Sequence, residues 1–107
     1  MFVYLPPVEG VITQDPSFYH QAYDFSCIPG SPVRAVHAGS GSFKYDYKMG
    51  WTYTVRYEDR VTSYSHLGEV GPKTYVLEGD VIGLCGDTGA YSSGPHVHFE
   101  SNKPYRF

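Results

Sequence analysis

The segment from residue 51 to residue 67 constrains the fold more than any other part of the sequence. Its first half, WTYTVRYE, alternates between apolar and polar residues and places Trp51, Tyr53, Val55 and Tyr57 on one face. A turn-like EDR follows, and VTSYSHL supplies a return strand. Because side chains alternate with a period of two along a strand, the pattern predicts an antiparallel hairpin with one face on a core.

The rest of the sequence repeats short strand-like runs between turn signals. The runs GVIT, HQAYDF, VRAVHAG, EGDVIGLCG and HVHFES are separated by glycine, proline and polar residues, and no segment shows a sustained helical period. We interpret GSGSF, residues 39–43, as a flexible connection. A chain of 107 residues with 12 glycines and 8 prolines therefore predicts one compact all-β domain over residues 1–107. We expect about seven to nine short antiparallel strands.

Composition narrows the classes of function. The formal net charge of −3 provides no basic surface, so we expect no nucleic-acid partner. No run of 18 apolar residues occurs, which predicts no membrane insertion. The opening MFVYLPPVEG lacks a basic start and a long apolar stretch, so we expect no signal peptide in this chain. We also expect a monomer.

The two cysteines, Cys27 and Cys85, permit one disulfide but do not require it. They lie far apart and form no CxxC pair, so they do not resemble a zinc knuckle. We interpret them as two small buried residues rather than as a bridge, because free cysteine is among the most buried residue types.

The stretch GPHVHFE places two histidines two positions apart on a predicted strand. His96 and His98 then share one face, while Val97 and Phe99 share the other. One face can therefore lie on a core, and the other presents two imidazoles that can bind metal or move protons.

A second motif, HQAYD, pairs His20 with Asp24. Positions i and i+4 of a strand share a face, and the small Ala22 lies between them. Together with one histidine of the last strand, they offer two nitrogens and one carboxylate oxygen, which is typical of a catalytic zinc site with an open fourth position. The spacing alone leaves a metal site and a set of solvated surface histidines as open alternatives.

Six segments occur in an order that resembles the lysostaphin- and LytM-type zinc endopeptidases of peptidoglycan. They are PVEGVIT, HQAYDF, GSPVRAVHAG, YSHL, EGDVIGLCGDTG and SSGPHVHFE, and they cover the chain from about residue 7 to residue 100. The resemblance implies a duplicated-hybrid-motif-like antiparallel sheet with a zinc site in a surface groove. It further implies that His20, Asp24 and His98 hold one Zn²⁺ per chain, and that His66 and His96 flank the reacting water as catalytic residues.

The function implied by the resemblance is zinc-dependent hydrolysis of peptide cross-links or bridges of bacterial peptidoglycan. We expect the protein to act on the cell wall, in an extracellular, periplasmic or virion-associated setting, and a phage-type lysin fits this expectation. The alternatives are a catalytically inactive wall- or partner-binding domain of the same fold, a phosphocarrier domain with paired histidines, and a β-rich module with incidental histidines.

Several positions depart from the family pattern or stay outside it. Ala22 stands where the family usually has glycine. Gln14, Tyr19 and Tyr23 are candidates for holding the reacting carbonyl, without a basis for choosing among them. We interpret His37 as structural or exposed, because it matches no functional position. The tyrosines at alternate positions suggest a tyrosine-lined surface for a flexible peptide.

Overall fold

A computed structural model describes residues 5–14, 22–105 and 107 of the chain. This part of the chain consists of strands and turns without a helix, which confirms the all-β class. Its ten strands are β1 (Val11–Gln14), β2 (Ala22–Ser26), β3 (Pro32–Arg34), β4 (Gly39–Asp46), β5 (Gly50–Tyr57), β6 (Arg60–Leu67), β7 (Glu69–Val70), β8 (Tyr75–Val76), β9 (Val81–Leu84) and β10 (His96–Ser101). Within these residues no helix is long and apolar enough to cross a membrane.

The strands form two antiparallel sheets. The large sheet has seven strands in the order β1-β2-β10-β6-β5-β4-β8, and the small sheet has three in the order β3-β9-β7. Both sheets contribute side chains to one core, with Val33 and Ile82 from the small sheet and Phe25, Tyr64 and Phe99 from the large one. The core therefore lies on one face of the large sheet and leaves parts of the other face open to solvent.

Strand β10 shows how the sequence assigns the two faces. Val97 and Phe99 are fully buried, whereas His96 and His98 are partly exposed. The predicted division of GPHVHFE into an apolar and a histidine face is confirmed. Because β10 lies between β2 and β6, its histidines face solvent near the middle of the large sheet rather than at an edge.

The predicted hairpin is present as β5 and β6, but its aromatic face points away from the histidines. Tyr53 lies opposite Tyr64, which lies opposite Phe99, and all three side chains are fully buried in the core. The expectation that alternate tyrosines line a peptide-binding surface is therefore wrong for Tyr53 and Tyr64. Their burial stabilises the sheet, since each aromatic ring removes a large apolar surface from water.

The glycine-rich stretch GSGSF is part of a strand rather than a flexible connection. Residues 39–43 belong to β4, which pairs with β5 from Ser40 to Asp46 and with β8 at its first two residues. Gly41 is required there by close packing, because a Cβ at this position would overlap the hydroxyl of Tyr53. The glycine content of this stretch suggested a flexible backbone, whereas in the structure the absence of a side chain at Gly41 makes room for Tyr53.

Cys27 and Cys85 form a disulfide with an S–S distance of 2.02 Å, so the expectation of two separate thiols is wrong. Cys27 directly follows β2 of the large sheet, and Cys85 directly follows β9 of the small sheet. Their Cα atoms lie 6.2 Å apart, within the range that a disulfide spans. The bond therefore ties the two sheets together beside the strand that carries Asp24.

Candidate active site

Residues from distant parts of the sequence meet in one row across the large sheet. His98 on β10 lies directly opposite Asp24 on β2 and directly opposite Ser65 on β6. Directly opposed residues of antiparallel strands point to the same face, with Cβ atoms about 4.5–5.5 Å apart. Strand pairing therefore places Asp24 and His98 together, although 74 positions separate them in the sequence.

His98 lies between two carboxylates. Its Nδ1 is 2.9 Å from Asp24 Oδ1, and its Nε2 is 2.9 Å from Glu100 Oε1. A neutral imidazole has one N–H and can donate to only one of them. The second contact brings a lone pair against an acceptor, so it requires another proton or a metal cation. Two carboxylates around one imidazole thus form a site that favours a positive ion.

The partly buried His96 lies beside this pair. Its Nε2 is 3.9 Å from Asp24 Oδ1, and its Nδ1 donates a hydrogen bond to the backbone carbonyl of Gly94 at 2.7 Å. Since Nδ1 carries the proton in this arrangement, Nε2 is the nitrogen that faces the site with a lone pair.

A β-bulge brings His66 to the same face. The pairing of β5 and β6 shifts between Trp51–Leu67 and Tyr53–Tyr64, so two residues of β6 occupy the space opposite one residue of β5. His66 has a positive φ of 63°, a conformation that non-glycine residues seldom adopt. In a regular strand, His66 would point to the face opposite Ser65, whereas here its ring centroid lies 4.7 Å from that of His96.

The His66 ring is fixed by a backbone carbonyl as well. Its Nδ1 donates to the carbonyl of Thr88 at 2.7 Å, and the residue is 2% exposed. Burial lowers the pKa of His66, and the neighbouring His96 and His98 lower it further, while the Thr88 carbonyl and Asp24 oppose the shift. The lowered pKa favours the neutral imidazole, which can accept a proton at Nε2.

Four of the five predicted site residues therefore meet on one face: Asp24, His66, His96 and His98. The fifth, His20, lies outside the described residues. Within residues 5–14, 22–105 and 107, no three His, Cys, Asp or Glu side chains form a group that could hold a metal ion. A zinc site formed by His20, Asp24 and His98 together therefore stays a prediction.

The donors present nevertheless fit a zinc ion. Two ligands of a tetrahedral zinc with bonds of 2.0–2.1 Å lie about 3.3 Å apart. The separation of 2.9 Å between His98 Nδ1 and Asp24 Oδ1 is close to this value. Glu100 on the other ring nitrogen provides the carboxylate that commonly orients a metal-binding histidine.

The groups that orient these histidines were not predicted from the sequence. Glu100 was detectable, because it lies two positions after His98 and so shares its face of the strand. The carbonyls of Thr88 and Gly94 carry no side-chain signal, and only the folded loop reveals them.

Two of the remaining candidates can be placed. Tyr23 is buried in the core and donates its hydroxyl hydrogen bond to the Tyr105 carbonyl at 2.9 Å, so a role in holding the reacting carbonyl is wrong for it. His37 contacts Thr62, a core-face residue of β6, in agreement with a structural role. Tyr19 lies outside the described residues, and the assignment of Gln14 stays a prediction.

The sequence profile of peptidase family M23 matches residues 18–106. Among solved structures, a putative M23 peptidase from Pseudomonas aeruginosa is 27% identical with a TM-score of 0.80, covering 92% of this chain and 44% of that one. Lysostaphin from Staphylococcus simulans is 31% identical with a TM-score of 0.71, covering 86% and 40%. A zinc-containing peptidase from Vibrio cholerae is 25% identical with a TM-score of 0.71, covering 90% and 33%.

The chain thus spans less than half of the length of these three structures. No curated protein sequence gives a significant match to it.

Proposed function

Because the chain belongs to peptidase family M23, as its resemblance to lysostaphin had indicated, we propose that it is a zinc endopeptidase of bacterial peptidoglycan. The substrate is the peptide part of the wall, either a cross-link between stem peptides or a bridge. The family relationship supports peptide hydrolysis, and the relative lysostaphin is named as an antimicrobial peptidase.

One observation carries the proposal. His98 lies 2.9 Å from each of two carboxylates, directly beside two histidines whose Nδ1 atoms are occupied by backbone carbonyls. A cation site and two imidazoles with available Nε2 atoms therefore share one small region of the sheet. Metal-assisted hydrolysis needs this combination of an electrophile and proton-transfer groups.

We assign the zinc ligands to His20, Asp24 and His98. Asp24 contributes negative charge that retains the cation, and the two histidines contribute neutral nitrogens. When bound, zinc polarises the scissile carbonyl and makes water nucleophilic near neutral pH.

His66 and His96 carry the protons in this proposal. One Nε2 accepts a proton from the attacking water and returns it to the leaving amine. The other ring, in its protonated form with N–H groups on both nitrogens, donates a hydrogen bond from Nε2 to the developing oxyanion. The low exposure of His66 strengthens such interactions, because little water competes with them. We do not assign the proton-accepting role and the oxyanion-binding role to one histidine or the other.

The disulfide supports the proposed place of action. Disulfides persist in oxidising environments such as the cell exterior and the periplasm. The Cys27–Cys85 bond therefore agrees with activity on the cell wall outside the cytosol. A phage-type lysin remains a prediction from the sequence.

Digestion of purified peptidoglycans with different cross-link chemistries tests the proposal. Mass analysis of the released fragments should show new free amines at one type of peptide bond, in amounts that vanish with a chelator and return with zinc. An inactive binding domain would retain the wall without releasing fragments, and a phosphocarrier would show no zinc dependence. Either result would overturn the proposed function.

A further inference from the structure

One loop orients both proton-transfer histidines. The loop between β9 and β10 supplies the Thr88 carbonyl to His66 Nδ1 and the Gly94 carbonyl to His96 Nδ1, each at 2.7 Å. A carbonyl can only accept, so each histidine holds its proton on Nδ1 and keeps a lone pair on Nε2. The tautomers of the two rings therefore depend on the shape of this single loop.

The Thr88 end of the loop is anchored to the large sheet. The Thr88 hydroxyl donates to the Leu67 carbonyl and accepts a hydrogen bond from the Trp51 backbone N–H at 3.0 Å. These contacts anchor the His66 acceptor to β5 and β6 through the side chain of Thr88 itself.

The Gly94 end depends on Asp87 instead. Asp87 Oδ1 accepts a hydrogen bond from the Gly94 backbone N–H at 3.1 Å and a short one from the Ser92 hydroxyl. Ser92 Oγ also lies 3.3 Å from His96 Nδ1. One carboxylate oxygen thus fixes both the residue whose carbonyl orients His96 and the hydroxyl beside that ring.

We propose that Asp87 is a positioning residue that sets the orientation and tautomer of His96. The inference rests on the proposed hydrolytic function, since a defined His96 tautomer matters only if its Nε2 takes part in chemistry. Among the described residues, Asp87 makes no hydrogen bond to Asp24, His98 or His66; its partners are Ser92 and Gly94. Its removal should therefore lower kcat while zinc content and KM stay close to the parental values.

The chain offers a matched control. Asp80 is also a carboxylate that fixes a turn, because its Oδ2 accepts the Leu77 backbone N–H at 2.9 Å. Its turn joins β8 and β9, and it does not supply the carbonyls that hold His66 and His96. Asp80→Ala should cost stability in the same way as Asp87→Ala while leaving kcat unchanged. Asp87→Asn provides the conservative variant, because the amide oxygen can accept the same two hydrogen bonds.

The experiment combines steady-state kinetics with NMR of ¹⁵N-labelled histidine rings in zinc-loaded protein. Loss of a group that orients a metal-binding histidine typically costs about 10–100-fold, and we take the same range for a proton-transfer histidine. We expect that loss in kcat for Asp87→Ala, a mixture of His96 tautomers in its spectrum, and recovery of both in Asp87→Asn. The His66 signals should stay those of the Nδ1–H tautomer, because Thr88 is anchored separately.

Three outcomes would overturn the inference: an unchanged kcat in Asp87→Ala, an unchanged His96 tautomer, or an equal loss of kcat in Asp80→Ala. The NMR measurement needs no turnover. If the parental protein hydrolyses no peptidoglycan, the proposed function fails, and the His96 spectrum still decides whether Asp87 positions this ring.

Discussion

Two histidine environments lie on opposite faces of the same sheet. On the core side, His37 uses both ring nitrogens, with Nδ1 donating to the Ala38 carbonyl at 2.8 Å and Nε2 accepting from the Thr62 hydroxyl at 2.9 Å. On the other side, His66 and His96 each place Nδ1 on a backbone carbonyl. Nε2 of each ring then has no hydrogen-bond partner among the described residues.

The difference separates a structural histidine from the two histidines that we propose to be reactive. The hydrogen bonds around His37 run in one direction, from the Val36 N–H to the Tyr64 hydroxyl, on to the Thr62 hydroxyl, and then to His37. A ring in such a chain has no lone pair to offer. Exposure alone would not separate the two sites, because His66 is 2% exposed and yet keeps an available nitrogen.

The largest effect should come from removing the proposed cation site. His98→Ala eliminates one predicted ligand and leaves Asp24 and Glu100 without the imidazole between them. We expect zinc to be lost and activity to fall to background, whereas His37→Ala retains its zinc. Metal analysis of both purified variants checks the contrast, and full zinc content in His98→Ala would show that the assignment of this ligand is wrong.

The next effect concerns the two rings held by the loop. His66→Ala and His96→Ala should retain zinc and lose about 10²–10⁴-fold in turnover, the usual contribution of a general acid or base. Release of amines from peptidoglycan measures the loss, with zinc content assayed in parallel. Digestion by His66→Ala at the parental rate would remove this residue from the mechanism.

Removal of the disulfide should have a smaller effect on turnover, because the bond stabilises the two sheets and contacts neither histidine environment through a catalytic group. The bond closes a loop with a sequence separation of 58, and such bonds typically contribute about 2–4 kcal/mol to stability. Denaturant unfolding of a Cys27→Ser, Cys85→Ser double variant should show this loss, with residual turnover when the protein is assayed well below its melting temperature. An unchanged free energy of unfolding would contradict the prediction.

The smallest effect is a pH dependence of stability that originates at His37. Burial lowers the pKa of His37 below its usual 6.5, the Ala38 carbonyl opposes this, Arg60 lowers it and Glu78 raises it. Below about pH 6.5, the unfolded chain therefore binds a proton more readily than the folded one, so the contribution to stability is lost as the pH falls through that region.

The comparison of the parental protein with His37→Gln isolates this contribution, since all other groups are common to both. The free energy of unfolding of the parental protein should fall more steeply between pH 7 and pH 5 than that of the variant. Parallel curves would show that His37 does not contribute to the pH dependence.

Much of the fold and the site follows from the sequence, because strand periodicity decides which residues share a face. The division of GPHVHFE and the hairpin of β5 and β6 are examples, and strand pairing then brings Asp24 to His98. Periodicity also assigned Tyr53 to a face, but it could not tell which face of the sheet carries the core. That choice depends on the small sheet, whose packing no local pattern reveals.

Other features depend on breaks in regular pairing or on contacts between distant residues. In a regular strand, the consecutive residues Ser65 and His66 would point to different faces of the sheet. Only the bulge and the positive φ of His66 turn its ring to the face that carries the site. The disulfide requires Cys27 and Cys85 to meet at the ends of strands in two different sheets. The Thr88 and Gly94 carbonyls belong to the backbone, so residue type cannot indicate their role.

The proposed mechanism requires that one face of the sheet bind a single zinc ion beside two histidines whose Nε2 atoms carry lone pairs. Anomalous diffraction at the zinc edge, on crystals grown without chelators, tests it most directly. The predicted result is one peak within bonding distance of His20, Asp24 and His98, with His66 and His96 beside it but not bonded to it. No peak at these three residues, or a peak bonded to His66 in place of His98, would contradict this mechanism.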